Sequence, residues 1–367
     1  MKIFHIISRL DVGGAERVAI SIAKGHTADC SHHIVELQRG QSAFTRGLLD
    51  ELKQSGIPVH RSWLPVVWHF HYLVERIISC LFPLRLLWLW LRYRPDVIHS
   101  HTEMPDMAVW LSLKIFPFIR VKLVRTIHNT CLWTSMQWVG PRVERLMQSR
   151  GANVAISQNV RQMYVERYGG PEPPIIYNGV PAVAQRQYEG IKSGKTNILF
   201  AGRFEEQKGI SVLCEIVKAL QDDNRYFFHI FGAGRLQREV DAIKELPNVE
   251  VLPPMNNISS VLASFDYLIM PSLHEGLPLL SVEASLNGLP LIANRCPGLV
   301  ETIPAEWPLA VSNNDIGEWL QIFREVLPRA ERTDLIKQAH DFAQSNFSME
   351  QMQRSYTSIY KDSSNNI

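Results

Sequence analysis

The feature that most limits the fold is a rhythm. Short apolar runs alternate with helix-period segments for most of the 367 residues. KIFHII (2–7), HHIVEL (32–37), DVIH (96–99), VKLVRTI (121–127) and NVAIS (153–157) read as strands, and AERVAISIAK (15–24) opens the helical patterns between them. Near-continuous apolar strands separated by helices predict a parallel sheet covered on both faces. The rhythm pauses at NGVPAVAQRQYEGIKSGK (178–195), which reads as a linker. It then resumes with TNILFAG (196–202), RYFFHIFG (225–232), NVEVL (248–252), DYLIM (266–270) and LPLIA (289–293). Helical patterns fall at 209–221, 235–245, 279–287 and 314–327, with two more near 330–345 and 348–361. The chain is too long for one ordinary core and suits two α/β domains. The expected boundaries are 1–180, 181–347 and a terminal segment, 348–367. Two doubly wound halves bind ligands at the carboxyl ends of their strands, in the cleft between them.

Composition removes several function classes. A formal net charge of +2 supplies no basic field for nucleic acid. Cysteines 30, 80, 131, 214 and 296 form no CxxC pair, so neither a zinc site nor a disulfide framework is expected, and a reducing compartment is. MKIFHIISRLDVGG does not read as a signal peptide. The longest apolar stretch, 77–91, is interrupted by Pro83 and Arg85, so no transmembrane helix is expected. Trp63, Trp68, Trp88 and Trp90 lie near Arg76, Arg85, Arg92 and Arg94. That mixture suits a membrane interface, or equally a core helix with arginines on its wet face.

The residues after each strand carry the chemistry. Gly13-Gly14 follows the first strand and opens a helix whose N–H groups can meet an anion. Glu36 lies where a dinucleotide's ribose acid would fall, but the G-x-G-x-x-G spacing is missing. After the first strand of the second half comes AGRFEEQKGI. Arg203 and Lys208 can neutralise a diphosphate, or else pair with Glu205 and Glu206. Gly202, Gly232 and Gly234 would let a nucleotide approach the backbone. Leu252 and Met255, in NVEVLPPM, are placed for a flat base. In SLHEGLPLLSVEAS (272–285), Pro278 suits a first helical turn, leaving the N–H groups of Leu279 and Leu280 for a phosphate. Glu283, a turn deeper, can accept from a ribose diol, and Glu275 from sugar hydroxyls. The plainer reading makes both of them helix-start acids.

HEGLPLLSVEA (274–284) and GRFEEQKG (202–209), with GGAERV (13–18), IYNGV (176–180) and FSMEQMQRSYTSIY (347–360), resemble the retaining glycosyltransferases of family four, of GT-B fold. The likeness runs over nearly the whole chain. It implies Glu275, Gly276 and Leu277 at the donor sugar, Glu283 at the ribose, and Arg203 and Lys208, with Gly14, at the diphosphate. It also implies a last helix that crosses back to the N-terminal domain. His128, in LVRTIHNT, matches a histidine that the family places near the transferred sugar, although Asn129 stands where Asp is common. His99 and His101 read either as acceptor-facing or as ordinary loop histidines.

No Asp-x-Asp occurs in the chain. The expected chemistry is therefore transfer without metal or cofactor, the cations and a helix dipole stabilising the leaving diphosphate; the resemblance implies that it retains the anomeric configuration. The expected donor is a nucleotide-diphosphate sugar, UDP ahead of GDP, and the acceptor a lipid-linked glycan at the inner face of the cytoplasmic membrane. A nucleotide-sugar epimerase of the same architecture is the first rival. An NAD-dependent oxidoreductase and a silent glycan-binding protein follow.

Overall fold

The computed structural model describes all residues but 12, 28, 65–70, 135, 182, 256 and 363–367, and leaves aside the side chains of 43 and 71–76. The chain divides into two units, Met1–Gly179 with Met349–Ile367, and Val180–Ser348. In the N-terminal unit the strands are β1 (Lys2–Ile7), β2 (Ser31–Glu36), β3 (Val59–His60), β4 (Val97–His101), β5 (Lys122–Ile127) and β6 (Asn153–Ala155). They pair in parallel, in the order β3-β2-β1-β4-β5-β6. Helices α1 (Gly14–Ala23), α2 (Ala43–Gln54), α3 (His71–Tyr93), α4 (Glu103–Ile115), α5 (Gly140–Ser149) and α6 (Gln158–Tyr168) alternate with them. Every residue of β4 and β5 is buried, as covering both faces of a parallel sheet requires.

The C-terminal unit repeats the winding. Its strands are β7 (Thr196–Arg203), β8 (Tyr226–Ala233), β9 (Val249–Leu252), β10 (Tyr267–Met270), β11 (Leu291–Asn294) and β12 (Ala310–Val311), ordered β12-β11-β10-β7-β8-β9. Its helices are α7 (Ile210–Ala219), α8 (Gln237–Asp241), α9 (Leu279–Leu286), α10 (Ile316–Gln321) and α11 (Arg332–Phe347). Both sheets therefore reverse direction beside their first strand, between β1 and β4 and between β7 and β10. Ligands of doubly wound sheets bind beyond such a reversal.

Some expectations change. The segment expected to be a linker belongs mostly to the C-terminal unit. The Tyr188 ring stacks on Phe265 at 5.3 Å, and the backbone N–H groups of Arg186 and Tyr188 donate to Ser260 O and Ser264 Oγ. The chain passes between units at Gly179–Val180 and again at Ser348–Met349. The pattern at 235–245 shrinks to the five residues of α8, and that at 314–327 divides into α10, a π turn and a 3₁₀ turn holding Pro328. The helix α3 runs through Pro83, yet among the described residues no helix is long and apolar enough to cross a membrane. Arg85 does not sit on a wet face; its guanidinium donates to the carbonyls of Glu36 and His60. Trp68 and the side chain of Arg76 lie outside the described residues.

The last helix, α12 (Met349–Lys361), rejoins the N-terminal unit. Met352, Tyr356 and Tyr360, one turn apart, are buried with Ile3, Val97, Val124 and Val154. Lys122 Nζ donates to the carbonyls of Ile359 and Asp362, placing a cation at the negative end of α12.

Candidate active site

The loops after β7 and β10 are knitted together. Gly209 has φ +67°, and a Cβ there would lie 1.8 Å from the Pro271 carbonyl oxygen, so only glycine lets the two loops touch. Gln207 Nε2 donates to His274 O, and the Leu273 N–H to Gln207 O. This closeness brings Lys208 Nζ to 2.6 Å from Glu275 Oε1, which also accepts from Ser272 Oγ at 2.7 Å. Glu275 is 7% exposed and Lys208 21%. The two residues, expected at different ends of a ligand, thus form one ion pair at the reversal of the sheet. Arg203 ends β7, is exposed, and has no side-chain partner among the described residues. Neither cation pairs with Glu205 or Glu206; Glu205 faces Arg235 instead.

Pro278 stands one place before the helix, as the N-cap of α9, rather than in its first turn. Ser42, Ser157 and Asp315 cap α2, α6 and α10 with side-chain oxygens, whereas Pro278 offers none and no acid lies in the first turn of α9. Among the described residues the N–H groups of Leu279 and Leu280 meet no acceptor. Beside this helix start, a Cβ at Gly276 would meet nothing within 4 Å, whereas Leu277 is buried. Glu283 is the fifth residue of α9. It accepts from Ser259 Oγ at 2.6 Å, and burial raises its carboxyl above the usual range against that hydrogen bond. Neither Ser259 nor Ser272 stood out in the sequence as a partner for these acids: Ser259 arrives from a separate loop, and Ser272, three residues before Glu275 in the same loop, forms no recognisable motif with it.

Gly232 of β8 and Gly234 just after it have another explanation than an approaching nucleotide. A Cβ at Gly232 would lie 2.1 Å from Gly202 O, and one at Gly234 would lie 2.4 Å from Phe204 O. Both residues permit the β7 exit to cross β8 closely. Gly202 is roomier, with Phe200 at 3.5 Å. Leu252 and Met255 are half-buried against the core edge.

In the N-terminal unit Gly14 begins α1 with open space around it, while a Cβ at the extended Gly13 would strike the Glu16 carboxylate. Glu36 is fully buried. It accepts the N–H groups of Leu10 and Gly40 and pairs with Arg61 at 2.8 Å. With those partners it is a loop clamp, and the dinucleotide reading loses its ribose acid.

His128 follows β5 and is half-buried; Asn129 beside it is exposed. Burial, with the Arg125 charge adding, pushes the His128 imidazole down to about 4, so it is neutral near pH 7. Arg125 is itself buried between Asp106 and Glu144, both at 2.7 Å. His99 and His101 are no loop histidines and face no acceptor: both are fully buried in β4. His99 contacts Tyr360 OH and Thr126 Oγ1, each at 2.7 Å. The ring nitrogens of His5, His99 and His101 lie within 4.8 Å of one another. Immediately after β4, Thr102 has φ 87° and ψ 163°, a conformation costly for any residue but glycine, and its hydroxyl meets Ser8 Oγ at 3.1 Å. Such strain is typically retained where a site needs it.

Family comparison fits this geometry. Residues 12–183 match the model for Glycosyltransferase Family 4, and residues 195–328 match that for glycosyl transferases group 1. The chain is a group 1 glycosyltransferase of family four. This glycosyltransferase is 28% identical over 289 residues to an uncharacterized 41.2 kDa protein of the cps region of Klebsiella pneumoniae, covering 72% of this chain and 78% of that one. It is 23% identical to the capsular polysaccharide biosynthesis glycosyltransferase CapH of Staphylococcus aureus, covering 80% and 81%. The crystal structure of Anabaena HepE in complex with UDP superposes with a TM-score of 0.73 at 18% identity, over 98% of this chain and 99% of that chain. Together with the strand orders, this establishes the GT-B fold of the two units.

Proposed function

We propose that this glycosyltransferase moves a hexose or N-acetylhexosamine, with retention and without metal, from a nucleotide-diphosphate sugar to a lipid-linked glycan in surface polysaccharide synthesis. The observation that carries the reading is the meeting of Lys208, Glu275 and Ser272 between the ends of β7 and β10, in the unit that also carries the uncapped start of α9. Arg203, Lys208 and the N–H groups of Leu279 and Leu280 are the donors for a diphosphate. Their charge counters the charge that develops on the leaving nucleoside diphosphate, which lowers the barrier. Glu275 accepts from the sugar, and Glu283 with Ser259 from the ribose. UDP is preferred as the nucleotide because a structural relative, HepE, was solved with it.

The missing Asp-x-Asp supports transfer without metal, and retention follows the family. The acceptor hydroxyl attacks on the face the diphosphate leaves, and the departing phosphate oxygen takes its proton. His128 is the catalytic group proposed for the N-terminal unit. The CapH and cps-region relatives favour a capsule or lipopolysaccharide acceptor. On α3, Ile77, Leu81, Leu84, Trp88 and Leu91 lie on one helical stripe, each more than half exposed, and Arg92 follows on the surface. That stripe suits the interface of an anionic bilayer.

A panel of sugar nucleotides tested for thermal stabilisation identifies the donor. A labelled donor with and without acceptor then separates transferase from epimerase. Arg203→Glu should weaken donor binding by about a hundredfold, the loss of one charged contact plus a new repulsion, with the fold intact. Wild-type transfer by both Arg203→Glu and Lys208→Met would remove the diphosphate assignment. Activity abolished by a chelator and restored by Mg²⁺ would remove the metal-free mechanism.

A further inference from the structure

One face of the N-terminal sheet carries histidines where parallel strands ordinarily carry aliphatic side chains. His5 of β1, His32 of β2, and His99 and His101 of β4 are each at most 1% exposed, with Tyr360 of α12 packed on His5, His32 and His99. Three of them, with His128, form a file. His128 Nε2 faces His101 Nδ1 at 3.4 Å, His101 Nε2 faces His5 Nδ1 at 3.1 Å, and His5 Nε2 faces His32 Nδ1 at 2.9 Å. His99 stands beside the file, its ring centroid 4.1 Å from that of His101, and commits both nitrogens to Tyr360 and Thr126.

Each link joins an Nδ1 to an Nε2. A neutral imidazole has one N–H and one lone pair, so the tautomer of one ring dictates that of the next. Only two arrangements satisfy every link. Either all four rings carry the proton on Nδ1 and donate toward His128, or all carry it on Nε2 and donate toward His32. The far end decides between them. His32 Nε2 is buried and, among the described residues, has no hydrogen-bond partner. The second arrangement would finish on a buried N–H with no acceptor, the rarer and costlier kind of orphan. The first finishes on a bare lone pair.

We infer that His101, His5 and His32 are positioning residues that fix His128 as its Nδ1–H tautomer. This rests on the proposed role of His128 and deepens it. The Nε2 lone pair of His128 is occupied by His101, and its Nδ1, without a partner among the described residues, is a hydrogen-bond donor. His128 then holds a substrate oxygen, of a sugar hydroxyl or the leaving group. It does not accept the acceptor's proton, which goes to the departing phosphate, so His128 ends the reaction in the state in which it began.

The test is ¹⁵N NMR of the full chain labelled at its 13 histidines, with His128 assigned by its loss in His128→Asn. Long-range ¹H–¹⁵N couplings distinguish the two tautomers. The wild type should show His128 as Nδ1–H. His32→Asn, whose amide can still donate to His5, should keep that pattern. His32→Leu should release it to a mixture and lower kcat about tenfold, with the donor KM within about twofold. Three results overturn the inference: His128 as Nε2–H in the wild type, an unchanged His128 pattern in His32→Leu, or stoichiometric Co²⁺ binding that turns the His5, His99 and His101 nitrogens toward a metal. The wild-type spectrum is decisive even if a variant fails to fold. Because it needs no substrate, the Nδ1–H pattern in a protein without transferase activity would sink the proposed function and leave the file standing.

Discussion

The same buried histidines should make the N-terminal unit acid-labile before the C-terminal one. His5, His99 and His101 are held well below the usual imidazole range, first by burial and then by neighbouring histidines. His32 and His33, also buried, are pushed down to about 4, mainly by burial. An unfolded chain protonates its histidines near pH 6.5. Below that pH the unfolded state binds more protons than the native state. Stability is therefore full above about pH 6.5 and is lost as pH falls toward the depressed native values. At about pH 5.5 each buried neutral histidine forfeits about 1.4 kcal/mol, nearly independent of how low its native value lies. With His60 and His128, half-buried and also pushed down to about 4, the seven forfeit about 10 kcal/mol. Asp106 opposes this: burial, stronger than the Arg125 charge, pushes its carboxyl up to about 7. Protonating it in the native state returns about 2 kcal/mol over the same change. The net loss of about 8 kcal/mol is a large part of a domain's usual 5–15 kcal/mol. Among the described residues the C-terminal unit buries only His229, pushed down to about 4, and should lose about 1.4 kcal/mol. Hydrogen exchange of the full chain at about pH 8 and about pH 5.5, corrected for intrinsic rate, reads each unit separately. The β4 and β5 amides should lose about 8 kcal/mol of protection and the β7 and β8 amides little. Equal losses in both units, or none in β4 and β5, would refute the reasoning.

Glu275→Gln should bring donor and free nucleoside diphosphate affinities closer together by about tenfold, read by calorimetry as the ratio of the two dissociation constants; an unchanged ratio means Lys208 never leaves Glu275. Gly232→Ala should cost the C-terminal unit about 1–3 kcal/mol in denaturant melts, since its methyl would enter the Gly202 carbonyl; a neutral result would show that the strands part easily. Thr102→Gly should stabilise the N-terminal unit by about 1 kcal/mol through relief of its positive φ, while transfer activity falls. Faster transfer would show that the strain serves no purpose. Tyr360→Phe should cost about 1–3 kcal/mol because it leaves a buried nitrogen of His99 unpaired. An unaltered melt would mean that bond contributes nothing.

Much of the fold was legible because parallel strands announce themselves as apolar runs, and of the twelve strands among the described residues ten are found within a residue or two of where the sequence puts them. The two that gave no signal, β3 and β12, have two residues each, too few for any periodicity. The family motifs pointed to the loops after β7 and β10 but not to their internal pairing. Lys208 and Glu275 are 67 residues apart, and their contact depends on Gly209 seating against Pro271, a fact of tertiary packing. Glu36 has a spacing that suits a ribose acid, a reading already weakened by the missing glycine pattern, and its carboxylate serves the turn at Leu10 and Gly40 instead. His99 and His101 share a strand face by their spacing. Yet a polar string such as IHSHTE reads as a loop until α12 is known to cover it.

If the diphosphate is held at Lys208 and the sugar at Glu275, as proposed, the pair has a consequence for how a donor and its product are told apart. Glu275 is nearly buried, and its Oε1 is held by one ammonium and one serine hydroxyl. A diphosphate that draws Lys208 away leaves a buried carboxylate short of its cation, which is costly. An intact donor can repair this, because its sugar hydroxyls arrive with the diphosphate and donate to Glu275. The free nucleoside diphosphate cannot, for it takes the lysine and brings nothing for the acid. Arg203, exposed and without a side-chain partner among the described residues, attracts both ligands alike. Discrimination therefore falls on the paired cation rather than the free one. On the proposed placement the enzyme would bind its donor firmly and lose grip on the nucleotide once the sugar has gone, so that a single ion pair would serve both donor selection and product release.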